Sequence, residues 1–405
     1  MQVGIGRSRD RRDGAARPLH SPGEEARLLT PAFVALTIAE LAYFTAEGMS
    51  IPVTPLFAAG PLGADVVGVG IAVGAFAISA LLLRPWAGRL SDTRGRRPLL
   101  VGGALLYAGV MAAHLVAPDL ATLIALRLAL GVAEACFFVA AVAAVADLAP
   151  PGRTGEAVSL NSLALYLGIA VGPLIGEQLL RMGGFTAAWL GGAVLALAAA
   201  LIALRIPATT RPVEATPGRP VLIHRQAVGP GLALLCGIGG MAGFLAFVAL
   251  YSRDLGMGGA ALPLLVLGGT VIGCRIVFRR LPDRMPPFRL GAAALGLTAL
   301  GLAVAAVVQS IPGLLLGTAI LGVGVAFTTP AFFAAIVTRV EPSERGVAMG
   351  TASAFLDIAF GGGPMLLGLV AGIGGVPLAF AVAASVAALG GIGVALLGRP
   401  RPLVR

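Results

Sequence analysis

Residues 84–98 read RPWAGRLSDTRGRRP, and residues 275–289 read RIVFRRLPDRMPPFR. Arg84 and Asp92 of the first stretch recur as Arg275 and Asp283 of the second, at an offset of 191 residues. The same offset relates further pairs, namely Gly131 and Gly322, Gly155 and Gly346, and the dipeptides Gly172-Pro173 and Gly363-Pro364. A constant offset over such a span predicts two halves of equal build, with almost no net insertion between them.

Composition places both halves in a membrane. Hydrophobic residues make up 58% of the chain, charged residues make up 12%, and the mean hydropathy is +0.94, which excludes an ordinary soluble domain. Apolar runs of about 20 residues can cross a bilayer as helices, whereas the strands of a membrane barrel alternate in polarity. We count twelve such runs, over residues 29–51, 66–87, 98–117, 120–148, 156–178, 185–206, 228–251, 260–279, 289–309, 312–338, 345–370 and 376–397. The predicted fold is all-α and integral to the membrane, with twelve transmembrane helices in two pseudo-symmetric six-helix bundles.

The arginines predict the orientation. All 29 basic residues are arginine, and if the N-terminus is inside, all but Arg127, Arg181 and Arg253 fall in or beside cytoplasmic segments. This bias predicts a multi-pass protein of the inner (plasma) membrane with both termini in the cytoplasm. It also accounts for the net charge of +10 without a nucleic-acid partner. The predicted divisions are a disordered arm (1–27), a first bundle (28–206), a proline-rich cytoplasmic linker (207–227), a second bundle (228–398) and a tail (399–405).

The stretch 88–98 resembles the signature loop between helices two and three of the major facilitator superfamily, although Thr93 stands where a basic residue is usual. Together with the repeat, the resemblance covers nearly all of residues 28–398. It implies alternating access around a small-molecule site between the halves. We expect the loop and its partners to hold the cytoplasmic side closed, and the alternative is that its charges only set topology. The expected residues of this gate are Gly88, Asp92, Arg94, Gly95, Arg96, Arg97, Asp147 and Asp283.

The fourth helix contains Leu123-x3-Arg127-x3-Gly131, which resembles the conserved arginine motif of the superfamily, although Leu130 stands where a polar residue is frequent. An arginine within the membrane needs a partner, and the first helix offers Glu40 and Glu47, which share one face with Tyr43 between them. Depth along antiparallel helices predicts that Arg127 pairs with Glu47 and that Glu40 clusters with Glu134. Two close carboxyls in a low dielectric cannot both ionise cheaply, so we expect one of these acids to carry a proton. The alternative is that they are structural or bind a cationic substrate.

Helix five carries Gly168, Gly172, Pro173 and Gly176. This spacing resembles the antiporter motif of the drug:proton antiporters in the superfamily. Small residues let helices pack closely, and proline bends the helix that contains it. We therefore expect a tight outer seal between helices of the two halves, which favours exchange and export.

Asp357 lies in the middle of the eleventh apolar run, at the position where the repeat places Tyr166 in the first half. A lone acid within the membrane indicates a function, because a symmetric scaffold gains nothing from it. It can bind a proton or a cationic group, and the alternative is a structural hydrogen bond to a neighbouring helix.

These features predict a proton-coupled antiporter that exports small, partly apolar molecules. An uptake symporter or facilitator for a sugar or metabolite is the alternative on the same fold, although Asn161, Gln178 and Gln309 are few amides for a polar substrate. A membrane-embedded enzyme or receptor is a third class, which three scattered histidines and the lack of a P-loop or HExxH motif disfavour. We expect no catalytic residue, metal or cofactor. The expected partners are a small-molecule substrate, protons and the lipid bilayer, and the chain is expected to act as a monomer.

Overall fold

The computed structural model describes residues 28–150, 153–208, 223–278, 280–341 and 344–397, and every regular element in these ranges is a helix. A 3-10 turn, His114–Val116, follows the third helix. The helices in chain order are α1 (Pro31–Ala59), α2 (Val66–Arg94), α3 (Arg96–Ala113), α4 (Leu120–Leu148), α5 (Thr154–Ala203), α6 (Arg225–Asp254), α7 (Ala261–Val277), α8 (Leu281–Arg284), α9 (Pro287–Val307), α10 (Ile311–Val337) and α11 (Arg345–Leu397).

Two of these helices are long enough to cross a membrane twice. α5 contains 50 residues and α11 contains 53, whereas one crossing needs about 20. A glycine pair interrupts each helix, Gly183-Gly184 in α5 and Gly374-Gly375 in α11. Gly184 has φ of 66° and Gly375 has φ of 77°, a left-handed backbone that glycine adopts without a steric penalty. With each arm counted separately and the shorter α7 included, the described chain has the twelve membrane-crossing helices predicted from the sequence.

α1 extends beyond its predicted end. It continues through Pro52 and Pro55 to Ala59, whereas the apolar pattern placed its end at residue 51. Membrane helices tolerate proline because neighbouring helices and local adjustments satisfy the backbone groups that proline frees. The extension moves the middle of α1 along the sequence toward Glu47, which changes which side chains of α1 and α4 lie at the same depth.

α2 also extends further, and it removes most of the predicted loop over residues 88–98. The helix continues to Arg94, and α3 begins at Arg96, so only Gly95 is not helical. Gly95 has φ of 92°, a conformation that residues with a Cβ rarely adopt. The signature stretch is therefore a sharp corner between two helices and not a loop.

The helices cross the molecule in alternating directions, which gives it two distinct ends. At one end α2, α4, α7 and α10 finish, and α3, α5, α9 and α11 begin. We call this the arginine-rich end because it carries Arg94, Arg153, Arg284 and Arg345. The other end, which we call the opposite end, carries Arg181 and Arg253.

Close backbone contacts hold the helices together inside each half. In the first half, a Cβ added to Gly48 of α1 would lie 3.2 Å from the Cα of Gly172 on α5. In the second half, a Cβ added to Gly363 of α11 would lie 3.1 Å from the Cα of Gly239 on α6. The two pairs are related by the offset of 191 residues. Equivalent positions thus pack in the same way, with glycine allowing the close approach.

Contacts between the halves follow the same symmetry. α2 packs against α11, α7 packs against α5, and α1 packs against α6. The repeat relates the first of these contacts to the second. Large apolar side chains remain exposed along the helices, for example Leu82, Leu366 and Leu389 at 70%, 64% and 68%, as expected of a surface that faces lipid.

Several predicted segments lie wholly or partly outside the described residues. These are the arm over residues 1–27, most of the linker over 207–227, and the tail over 399–405. α6 begins at Arg225, inside the predicted linker.

Candidate functional site

Two acids of the first half, Glu47 on α1 and Glu134 on α4, lie close enough to interact electrostatically. The Tyr43 hydroxyl faces Glu134. Tyr107 is close enough to both carboxylates to interact with them electrostatically. Among the described residues, Oε2 of Glu47 and Oε2 of Glu134 have no hydrogen-bond partner. Two neighbouring carboxyls with free oxygens in an apolar interior can hold one proton between them, because ionising both at once is costly.

Aromatic packing fixes this carboxyl pair in place. Tyr43 and Glu47 are four residues apart and therefore share one face of α1. The ring of Tyr43 stacks on Phe137 of α4, with centroids 3.9 Å apart and an interplanar angle of 3°. It also meets the ring of Tyr107 on α3 at 4.8 Å. Three helices thus hold the pair in a rigid aromatic frame.

The predicted cluster of Glu40 with Glu134 is wrong. Oε2 of Glu40 accepts a hydrogen bond of 2.7 Å from the Asn161 side chain, and the Thr37 hydroxyl donates to the same amide at 2.9 Å. The prediction failed because α1 continues through Pro52 and is longer than expected. In the longer helix, Glu47 lies at the depth of Glu134, and Glu40 lies nearer the arginine-rich end. Glu40 is 4% exposed and belongs to a separate polar contact between α1 and α5.

Arg127 does not form the direct ion pair with Glu47 that the sequence predicted. Its Nε donates to the Ala72 carbonyl at 3.3 Å, and its Nη2 donates to the Val73 carbonyl at 3.5 Å. The guanidinium also lies 4.9 Å from the ring centroid of Phe76. Carbonyl oxygens and the ring of α2 therefore contact this charge, while Glu47 acts on it only through space.

Arg84 of α2 and Asp357 of α11 join the two halves by an ion pair of 2.9 Å. The guanidinium also lies 5.0 Å from the ring centroid of Phe138, and its charge acts on both Glu47 and Glu134. It thus connects the carboxyl pair of one half to the acid of the other. Sequence reasoning missed this role because Arg84 was counted with the arginines of the adjacent end. The repeat of Arg84 as Arg275 inside apolar runs was the signal that could have found it.

The equivalent contact on the other side of the molecule has no acid. There, Arg275 of α7 lies over the ring of Tyr166 on α5, with the guanidinium carbon 3.9 Å from the centroid. The offset of 191 residues maps Arg84 onto Arg275 and Tyr166 onto Asp357. One interface between the halves therefore carries an ion pair, and its counterpart carries a cation–π contact.

The expected gate residues lie at the arginine-rich end, and three of them, Asp92, Arg96 and Asp147, contact one another within the first half. Arg96 is 5% exposed. It donates to Asp92 at 2.5 Å, to Asp147 at 3.2 Å and to the Ser91 hydroxyl at 3.2 Å. This cluster ties α2, α3 and α4 together. In the described conformation it does not reach the second half.

The other expected gate residues contribute less. Arg94 is exposed and Arg97 is half-buried. A Cβ added to Gly88 would meet only the Val139 side chain, at 4.0 Å, so close helix approach does not require glycine there. The side chain of Asp283 lies outside the described residues.

The expected outer seal uses different contacts from those predicted. Gly168, Gly172 and Gly176 pack against the α1 backbone from Phe44 to Met49, inside the first half. Helix α5 meets the second half through another residue, Glu177, which is 4% exposed and accepts a hydrogen bond from the backbone N–H of Ala260 at the start of α7. The interaction is favourable because a carboxylate complements the positive end of a helix dipole.

The opposite end also has close backbone contacts between α2 and α11. A Cβ added to Gly70 would lie 3.1 Å from the Cα of Gly368, and one added to Gly361 would lie 3.4 Å from the Gly74 carbonyl oxygen. These contacts and that of Glu177 close the opposite end in this conformation. Over the described ranges, no group of three or more histidine, cysteine or acidic side chains is arranged to hold a metal ion.

Comparisons with known proteins agree with this architecture. A family model described as Major Facilitator Superfamily matches residues 36–308 and 289–405. An uncharacterized MFS-type transporter of Salmonella typhimurium is 31% identical over 364 residues, covering 87% of this chain and 92% of its own. One from Burkholderia mallei is 30% identical over 359 residues, covering 85% and 86%. A crystal structure of a bacterial homolog to the human lysosomal transporter Spinster, inward-facing and occupied, has a TM-score of 0.76 at 14% identity and covers 92% of this chain and 99% of its own.

Proposed function

The chain belongs to the Major Facilitator Superfamily, and on this premise we propose that it is a proton-coupled antiporter that exports small, partly apolar molecules by alternating access. It would thus be of the drug:proton antiporter type. The observation that carries this function is the carboxyl pair Glu47 and Glu134, which Arg84 links to Asp357 across the two halves. Because the Arg84 guanidinium interacts with all of these acids, protonation of any of them would affect the contact between the halves.

The chemistry of the cycle follows from the shared arginine. When Asp357 is ionised, it holds Arg84 and the α2–α11 contact. When it binds a proton, Arg84 loses this partner and is attracted to Glu47 and Glu134 instead. The interface then opens more easily, and the carboxyl pair, stabilised by the arriving cation, releases its own proton. Proton binding in one half thus drives a change in the contact between halves, as alternating access requires.

The orientation belongs to the same proposal. The arginine-rich end would face the cytoplasm of a prokaryotic cell, with both termini inside, because arginine is retained on that side of the inner membrane. The halves over 28–206 and 228–398 would rock as two bodies, each helix bundle remaining intact. One chain contains both halves, so a monomer with the bilayer, protons and a small molecule as its partners is sufficient.

The driving force is adequate for export. Each elementary charge that crosses the membrane releases about 2.3 kcal/mol per 100 mV, and each pH unit adds about 1.4 kcal/mol. One proton that moves down 100 mV and one pH unit can sustain a roughly five-hundredfold gradient of a neutral substrate.

Proteoliposomes with an acidic interior and a trapped pH indicator test this function. Addition of lipophilic drugs and metabolites, one at a time, should raise the internal pH only for transported compounds. Glu47→Gln and Glu134→Gln should abolish the response because each removes one carboxyl of the pair. Asp254→Asn is the matched control, since it removes an exposed acid at the end of α6. Substrate that enters together with protons from an acidic exterior would instead support the uptake symporter.

A further inference from the structure

The guanidinium of Arg275 has no acidic partner in the part of the chain whose side chains the structure describes. No carboxylate whose side chain the structure describes forms an ion pair with it. Its Nε is buried and has no hydrogen-bond partner among the described residues. Its contact is the Tyr166 ring, which covers one face of the guanidinium. The in-plane N–H groups remain available, and these are the groups that bind carboxylates in a bidentate manner.

The first half shows what such an arginine binds when an acid is present. Arg84 forms an ion pair with Asp357 and interacts with Glu47 and Glu134. At this position of the repeat the arginine is thus paired with one carboxylate and interacts through space with two others. At the equivalent position of the second half, Tyr166 replaces the acid of the ion pair, and a positive charge remains between α5 and α7. An arginine without an acidic partner in a membrane helix is costly, and an anionic ligand would remove the cost.

We propose that Arg275 and Tyr166 form the subsite for the charged group of the substrate, and that this substrate is an amphipathic monoanion such as a carboxylate or sulfonate with an apolar body. Because this subsite serves the transported molecule, the inference rests on the proposed transport function. In the bound state the anion takes the place that Asp357 has at Arg84, in the plane of the guanidinium, while the Tyr166 ring stays against its face.

The surroundings of Arg275 agree with an anion that enters from the arginine-rich end. An open surface pocket of about 310 Å³ is formed by residues that follow Arg275 in the chain, namely Val277, Phe278, Arg280, Leu281 and Arg284. Its two arginines attract an anion, and its apolar side chains can contact the rest of the molecule. The same charge pattern disfavours cations, because they would meet like charges along this route.

Equilibrium binding to the purified full chain in detergent tests the subsite without any gradient. The probes are naphthaleneacetate, naphthaleneacetamide and the corresponding naphthylethylamine, which share an apolar body and differ in charge. At pH 7, isothermal titration calorimetry should give a Kd for the acetate at least about tenfold below that for the acetamide, because a charged acceptor strengthens hydrogen bonds from arginine. The amine should bind most weakly.

Three variants test whether the preference for the acetate arises at Arg275. Arg275→Gln should remove the preference for the acetate over the acetamide. Tyr166→Asp should also remove it, because it supplies Arg275 with the tethered carboxylate that Arg84 already has, and its added ion pair should preserve folding. Arg253→Gln, which removes an exposed arginine of the opposite end, should leave the preference unchanged. Thermal unfolding of each variant shows that it remains folded.

Several results would overturn the subsite. These are equal affinities for acetate and acetamide in the unaltered chain, tighter binding of the amine, no binding of the acetate at millimolar concentration, or a preference that survives Arg275→Gln. None of them depends on proton coupling. A protein that binds the acetate at Arg275 but exchanges no protons in vesicles would retain this subsite and contradict the antiporter, whereas proton exchange driven by cationic compounds would do the reverse.

Discussion

The α2–α11 interface and the α7–α5 interface both join the two halves and are related by the repeat, yet their polar contacts differ. Arg84 meets Asp357 across the first interface at 2.9 Å, and Arg275 meets the ring of Tyr166 across the second. Inside each half, in contrast, the backbone packing repeats, as the glycine pairs Gly48–Gly172 and Gly239–Gly363 show. The repeat has thus kept its packing and changed its charges, so asymmetric polar residues are the better guide to function.

Among changes that distinguish the two interfaces, loss of the ion pair should have the largest effect. Asp357→Asn removes the acid, so Arg84 turns toward Glu47 and Glu134 and holds both ionised, and we expect proton-coupled exchange to fall by about a hundredfold, equivalent to about 2.7 kcal/mol. Tyr166→Phe keeps the ring beneath Arg275 and should change exchange less than about threefold. Both are measured as initial rates of pH change in proteoliposomes. Exchange at the original rate in Asp357→Asn would remove the ion pair from the mechanism.

Exchanging the two charges of the Arg84–Asp357 ion pair tests whether the pair itself is required. The double substitution of Arg84→Asp with Asp357→Arg should recover part of the exchange that either single change loses, because opposite charges again face each other between α2 and α11. A double variant that is no better than the worse single variant would show that Arg84 acts only on the carboxyl pair.

The symmetric packing should respond equally in the two halves. Gly172→Ala places a Cβ about 2.7 Å from the Gly48 Cα, and Gly363→Ala places one about 2.6 Å from the Gly239 carbonyl oxygen. We expect each to lower the free energy of unfolding by about 2 kcal/mol, the typical cost of overpacking. Gly362→Ala is the control, since nothing lies within 4 Å of its added Cβ. A large loss in one half and none in the other, measured by thermal unfolding in detergent, would contradict the equivalence.

The sequence predicted the scaffold better than the site. Twelve crossings, the repeat and the all-helical class followed from apolar runs and from one offset, because the bilayer permits few architectures. The carboxyl cluster was assigned to the wrong glutamate of α1, because the apolar pattern placed the end of this helix at residue 51, whereas α1 continues to Ala59. A shift of seven residues along a helix keeps the same face but changes the depth by about 10 Å. The sequence could therefore predict which face of α1 carries the acids, but not which of them contacts Glu134. The ion pair of Arg84 required the packing of α2 on α11, which no local pattern encodes.

Gly184 and Gly375, the glycines with positive φ that interrupt α5 and α11, offer a smaller test of the symmetry. Gly184→Ala and Gly375→Ala put a Cβ where the backbone has positive φ and extended ψ, a region that is nearly restricted to glycine. We expect each to lower the free energy of unfolding by about 1 to 2 kcal/mol, with equal effects in α5 and α11. Gly269→Ala in α7, whose added Cβ meets nothing within 4 Å, is the control. Unequal melting temperatures for the two hinge variants would show that one turn tolerates strain that the other does not.

The smallest expected difference concerns the helix caps at the opposite end, where the repeat pairs Asp119 with Ser310. Asp119 accepts a hydrogen bond from the Thr122 amide at the start of α4, and Ser310 accepts one from the Gly313 amide at the start of α10. The hydrogen bonds from Thr122 lower the pKa of the exposed Asp119 carboxyl below its ordinary value. Its contribution to stability is therefore complete above that ordinary value and is lost as the pH falls through the lower, folded-state pKa. Hydrogen exchange corrected for intrinsic rates should show the Thr122 amide losing protection in acid and the Gly313 amide retaining it, whereas Asp119→Ser should make both caps insensitive to pH. Equal loss at the two amides would mean that acid acts on the whole end of the molecule, and not on the one cap that carries a charge.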